Sequence, residues 1–145
     1  MPVYLRTRSL FISLLLALYV QAVAQSLLPP EGGTERYAVS IEMPRGYISG
    51  ISIMKNDGER MICSVFNEFG VSAMDFTYDL NRKKVKLLSV MSMLDKWYIR
   101  RVLRKDLRAL LDHMSRGETM YENKKRHIVY RFDTMKAEEK IEDME

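Results

Sequence analysis

Residues 47–67 read YISGISIMK, NDG, ERMICSVFN. Two apolar runs flank Asn56-Asp57-Gly58. These three residue types tolerate the positive φ angles that tight hairpin turns demand, so the stretch predicts two antiparallel strands. Gly50 inside the first run predicts a bulge or bend.

The same grammar extends outward. Upstream, Tyr37, Val39, Ile41 and Met43 alternate with Arg36, Ala38, Ser40 and Glu42, a strand with one buried face that ends at the turn Pro44-Arg45-Gly46. Downstream, Glu68-Phe69-Gly70 leads into a fourth strand, Val71–Asp79, and Leu80-Asn81-Arg82-Lys83 into a fifth, Lys84–Met91. Five strands joined by tight turns are an antiparallel meander. The hydrophobic period then changes from two to 3.6. Between Asp95 and Met114, the apolar residues Ile99, Leu103, Leu107, Leu110, Leu111 and Met114 draw one stripe along a helix. Ser92 or Asp95 is placed to cap its start, and Gly117 lies just past its end. After a polar connection, Glu118–Lys125, the segment Arg126–Asp133 alternates again, with Ile128, Tyr130 and Phe132 on one face. The predicted fold class is α+β: a curved antiparallel sheet, or half-barrel, of about six strands with one long amphipathic helix packed across its concave face.

The ends have a different character. Arg6 and Arg8 precede an apolar core, Leu10–Val20, that is short for a membrane span, and Ala22-Val23-Ala24 follows. Residues 1–24 therefore read as a secretory signal peptide cut between Ala24 and Gln25, which places the protein in the periplasm or outside the cell. An uncleaved anchor is the competing reading. Residues 25–34, with two prolines and two glycines, read as a linker, 35–133 as the domain and 134–145 as a charged tail. The lone Cys63 excludes an internal disulfide, and its apolar strand makes it a buried, inert thiol.

The formal charge of +4 falls by two when Arg6 and Arg8 leave with the signal. Five acids against Lys136 and Lys140 make the tail negative, so the body is mildly basic and suits anionic partners. In a secreted protein that favours lipid over nucleic acid. The helix face away from the stripe carries Arg100, Arg101, Arg104, Lys105 and Arg108. It is either a plain solvated face or a contact for an anionic membrane surface. Trp97 and Tyr98 read as core caps or interfacial aromatics. The eleven methionines read as core filler or as an adaptable apolar surface.

Catalytic signatures are missing. His113 and His127 stand in no metal motif, and neither a nucleophile elbow nor a phosphate-binding loop occurs. The reading is a non-enzymatic protein without cofactor or metal. Asp75, inside an apolar strand, is expected to pair with a neighbouring Lys or Arg, with acid–base chemistry as the alternative. Apolar residues occupy both faces of strands two to four, more than one helix can cover. The surplus is either buried by curling of the sheet or lines a cavity for a lipid chain. The expected cavity residues are Ile51, Ile53, Met61, Val65, Met74, Phe76, Leu103 and Leu107. A one-residue error of register would exchange the set for its neighbours.

The runs Gly50–Lys55, Arg60–Gly70 with its N-E-F-G ending, and Met74-Asp75-Phe76-Thr77-Tyr78, together with Leu103-Arg104-Lys105-Asp106-Leu107, resemble a group of uncharacterised secreted bacterial proteins over residues 36–114. The arrangement is similar to the lipoprotein-carrier (LolA/LolB-type) half-barrel. That resemblance implies binding of an acyl chain or a lipidated protein in the periplasm. The chain is shorter than those carriers, has one clear helix and lacks an anchor cysteine, which leaves binding rather than transport as the implied function. A cell-envelope adaptor that binds protein without a cavity is the alternative.

Overall fold

Turn chemistry sets the strand boundaries. The computed structural model describes residues 11–12 and 25–135. The signal-peptide reading, apart from Phe11 and Ile12, and the tail from 136 to 145 lie outside the described residues. Strands β1 (Thr34–Met43), β2 (Gly46–Asn56), β3 (Arg60–Asn67), β4 (Ser72–Asp79) and β5 (Lys84–Val90) form the meander. A 3-10 turn (Ser92–Leu94) leads into helix α1 (Trp97–Ser115), followed by β6 (Met120–Asn123) and β7 (Ile128–Thr134). At the first hairpin, Gly58 has φ 95° and the Asp57 carboxylate accepts the backbone N–H groups of Glu59 and Arg60. In the N-E-F-G turn the Asn67 side chain accepts the N–H groups of Phe69 and Val71, and Gly70 takes φ 76°. Gly117 ends the helix at φ 88°.

The sheet is antiparallel, in the order β5-β4-β3-β2-β1-β7-β6. It curls into a half-barrel, and the helix backbone comes closest to the two edge strands, β5 and β6. The strand count is seven rather than six. The extra strand is Met120–Asn123, within the expected polar connection, and Arg126 and His127 belong to the turn before β7. Four residues with two polar ones give too little alternation to stand out. Tyr121 opposite Tyr130 is what holds the register.

Two local expectations need correction. Neither Ser92 nor Asp95 caps the helix. Lys96 occupies the N-cap without a side-chain hydrogen bond, and the Asp95 carboxylate instead accepts from Arg100 Nε at 2.6 Å. Asp95 lies one residue too early to reach the first helical N–H groups. Gly50 is no bulge either, since its pairing runs unbroken with β1 and β3. The register shifts fall at Val65/Phe66 and Asp75/Phe76 instead. Gly50 marks a close approach: a Cβ there would sit 1.8 Å from the Phe66 carbonyl oxygen.

The core lies between the concave face and the helix. Tyr37, Val39 and Ile41 of β1, Met61, Cys63 and Val65 of β3, and Tyr130 and Phe132 of β7 meet Leu103, Leu107, Leu110, Leu111 and Met114 of α1. Cys63 is buried as expected, and burial pushes its thiol well above the ordinary range, so it stays protonated.

Residues 25–33 contain neither helix nor strand, yet they form a strap bound to the domain. Leu27 N–H donates to Met114 O at 2.8 Å, and the Leu27 carbonyl accepts the Tyr37 hydroxyl at 2.6 Å. Asn56 Nδ2 donates to Pro29 O at 3.1 Å. The strap closes the trough at the helix C-terminus. Gly50→Ala is expected to cost about 1–3 kcal/mol of stability through the forced shift of β3 against β2. Urea unfolding measures it, and a variant as stable as the parent would contradict the close approach.

Candidate ligand cavity

The helix is not seated evenly. Its buried residues begin at Leu103, whereas Ile99 and Val102 in the first turns are only half-buried. Below them a cavity of about 410 Å³ opens at the end of the trough opposite the strap. Ile41, Ile48, Met74 and Tyr130 form its floor. Tyr98, Ile99, Val102 and Leu103 form the helix wall. The lip consists of the β1–β2 turn Pro44-Arg45-Gly46, Met93 of the 3-10 turn, and Arg126 before β7. Among the described residues, Arg45 and Arg126 are the only charged ones that line it, and neither forms an ion pair there. The site is an apolar slot with two cations at its mouth. Its volume falls in the range of about 300–1,000 Å³ typical of small-molecule pockets. At ~30 Å³ for a water, and a similar volume for a methylene group, it holds on the order of a dozen methylenes, enough for one acyl chain.

Tyr130 connects the cavity to the core. It is a buried residue at the cavity floor, and its hydroxyl donates to Asp106 Oδ2 at 2.7 Å. Asn123 Nδ2 donates to the same carboxylate at 3.0 and 3.1 Å. Burial and the neighbouring Asp106 charge both push the Tyr130 hydroxyl well above the phenol range, so it remains a donor. Asp106 is 3% exposed, and this network ties α1 to β6 and β7. In sequence it stands between cations, with Arg104 and Lys105 before it and Arg108 after it.

Of the eight residues expected in the cavity, Met74 and Leu103 line it. Met61, Val65, Phe76 and Leu107 share the concave side but are fully packed in the core. Ile51 and Ile53 are on the opposite, convex face, because Ile48, Gly50, Ser52, Met54 and Asn56 are the inward residues of β2. In the middle of β2 the inward residues are the smaller ones because space is short there. Ser52 pairs directly across from the ring of Tyr37, and Gly50 from Val39. Ile51 and Ile53 instead join Ile62 and Phe66 in a half-exposed outer patch.

The basic face exists, with one exception. Arg101, Arg104, Lys105 and Arg108 are exposed and form no ion pair among the described residues, whereas Arg100 is held by Asp95. Lys105 and Arg108 border a second, polar hollow of about 300 Å³ with Lys83, Tyr78 and Asp112. Asp75 does not pair with Lys or Arg. Its Oδ2 accepts from Ser89 Oγ at 2.7 Å and Ser72 Oγ at 3.2 Å. Partial burial pushes this carboxyl up, but hydrogen bonds from Ser64, Ser89 and Ser72 outweigh it and hold it below the usual range. It faces away from the cavity, opposite Ser64 and Ser89 on the convex side.

Sequence reasoning missed Arg45, Tyr98, Val102, Arg126 and Tyr130 as site residues. For the helix a signal was present: Ile99 and Val102 continue the apolar stripe toward the N-terminus, where too little of the sheet lies beneath to fill the space. Comparison with family models, with curated proteins and with solved structures found no match to this chain. Tyr130→Phe is expected to cost about 1.5–3 kcal/mol by removing a hydrogen bond to a buried carboxylate, whereas Tyr121→Phe stays within about 0.5 kcal/mol. Urea unfolding of the two variants compares them directly, and equal costs would contradict the Asp106 anchor.

Proposed function

We propose that the protein is a non-enzymatic binding protein of the cell envelope, exported by a cleaved leader (residues 1–24), which takes one acyl chain of a lipid or lipidated protein into the cavity beneath α1. The observation that carries this reading is the apolar slot of about 410 Å³ whose only charged lining residues among those described, Arg45 and Arg126, stand at its lip. An apolar chain gains about 0.8 kcal/mol for each methylene removed from water. An acidic head group would remain at the mouth, where two arginines without carboxylate partners offer paired N–H donors. The floor is pre-formed, because Tyr130 is fixed from behind by Asp106. This is the function that the resemblance to the lipoprotein carriers implies, reached by different residues.

One observation favours a second reading. The convex patch of Ile51, Ile53, Ile62 and Phe66 is apolar and open to solvent, with Ile53 37% and Ile62 38% exposed. A partner protein seated there would make the chain an adaptor.

Native mass spectrometry of the mature protein recovered from its secreting host distinguishes them. The binding reading predicts a co-purifying lipid mass that Val102→Glu abolishes and Ile62→Glu leaves in place. A bare protein mass, unchanged after incubation with a long-chain fatty acid and an acylated peptide, would overturn it. A co-purifying protein lost on Ile62→Glu, with the cavity empty, would establish the adaptor.

A further inference from the structure

The start of the helix is solvated where a core cap was one expectation. Trp97 is 76% exposed, Met93 58% and Tyr98 49%. Trp97 and Tyr98 meet edge to face with ring centroids 5.8 Å apart. Met93 and Tyr98 also line the cavity, so these apolar side chains project from its rim. The cations gather at the same end. Arg45 and Arg126 stand on the lip, Lys96 precedes Trp97 and Arg101 follows it by four residues along the helix, and Lys124 and Lys125 share the turn of Arg126. Asp95, the acid in this stretch, is already paired with Arg100. The exposed cations Arg104, Lys105 and Arg108 continue the charge along the helix.

We propose that this rim docks on an anionic bilayer surface, with Trp97, Tyr98 and Met93 in the headgroup region and the surrounding cations against the lipid phosphates. Trp and Tyr favour the membrane–water interface because one ring combines apolar area with a polar N–H or O–H. Clustered Lys and Arg add electrostatic attraction to anionic lipid. An acidic protein would satisfy the cations equally well, but it would meet projecting side chains around an opening rather than a groove that its own side chains fill. A bilayer accepts projecting apolar groups without a matching shape. Docked in this way, the cavity mouth faces the source of its chain. That consequence rests on the acyl-chain reading, whereas the attachment itself does not.

Trp97 is the only tryptophan, so its emission reports on the rim alone. The test uses mature protein from the secreting host and vesicles of phosphatidylcholine with or without 30% phosphatidylglycerol. The expected result is a shift of Trp97 emission to shorter wavelength and co-sedimentation with the anionic vesicles only. Each cation removed should weaken attachment about fivefold. The combined variant Arg45→Gln, Arg101→Gln, Arg126→Gln, all at exposed positions, should therefore bind on the order of a hundredfold more weakly with an unchanged melting curve. Val102→Phe, which narrows the cavity and leaves the rim, should weaken retention of any bound lipid yet still sediment with anionic vesicles. Sedimentation lost in Val102→Phe would overturn the rim proposal, because attachment would then run through the cavity. Unshifted emission without sedimentation would overturn it too, as would equal binding to both vesicle types. Retention on immobilised polyglutamate but not on vesicles would assign the surface to an acidic protein instead.

Discussion

The hydrogen bond from Tyr130 to Asp106 fixes the one distance on which the rest of the architecture depends. A carboxylate in a helix packed against a sheet must be satisfied, and here it has no cationic partner among the described residues. Tyr130 and Asn123 supply three contacts from β7 and β6. The helix therefore cannot slide along the trough or settle deeper at its N-terminal end without leaving a buried charge unpaired, which is costly. The space beneath Ile99 and Val102 persists for this reason.

The two ends of the trough are treated differently. At the helix C-terminus the strap closes it through Leu27 and Pro29. At the N-terminus the β1–β2 turn and the turn before β7 place Arg45 and Arg126 at the opening, beside the exposed apolar side chains of Met93 and Tyr98. Curling of the sheet brings the edge strands β5 and β6 up to the helix. The account of function follows from this asymmetry: one closed end, one open end, an apolar interior and a cationic lip.

The meander, the helix and its stripe were legible in the sequence because each rests on local chemistry: Asn56-Asp57-Gly58 for a turn, Leu103 and Leu107 for a face. The cavity was less legible because it depends on which face of β2 turns inward. Ile51 and Ile53 look more buried than Gly50 and Ser52 when hydrophobicity alone is weighed. The concave side is crowded by Tyr37 and the helix, and the residues opposite Tyr37 and Val39 are the small Ser52 and Gly50. Packing volume overrode the apolar pattern there. Asp106 was illegible for a related reason: helix periodicity places it beside Leu103 and Leu107, but only the partner on β7 shows why a carboxylate is tolerated. In β3 and β4, where large residues do point inward, Met61, Val65, Met74 and Phe76 were all placed on the correct face.

The methionines allow the central claim to be measured directly. Met43, Met74 and Met93 line the cavity, whereas Met54, Met61 and Met114 are buried away from it. A ¹³C-methyl-methionine NMR titration of the protein with a long-chain fatty acid reads both sets at once. The account predicts that the Met43, Met74 and Met93 methyls shift while those of Met54, Met61 and Met114 stay in place. Shifts confined to the second set, or no shifts at saturating fatty acid, would contradict it.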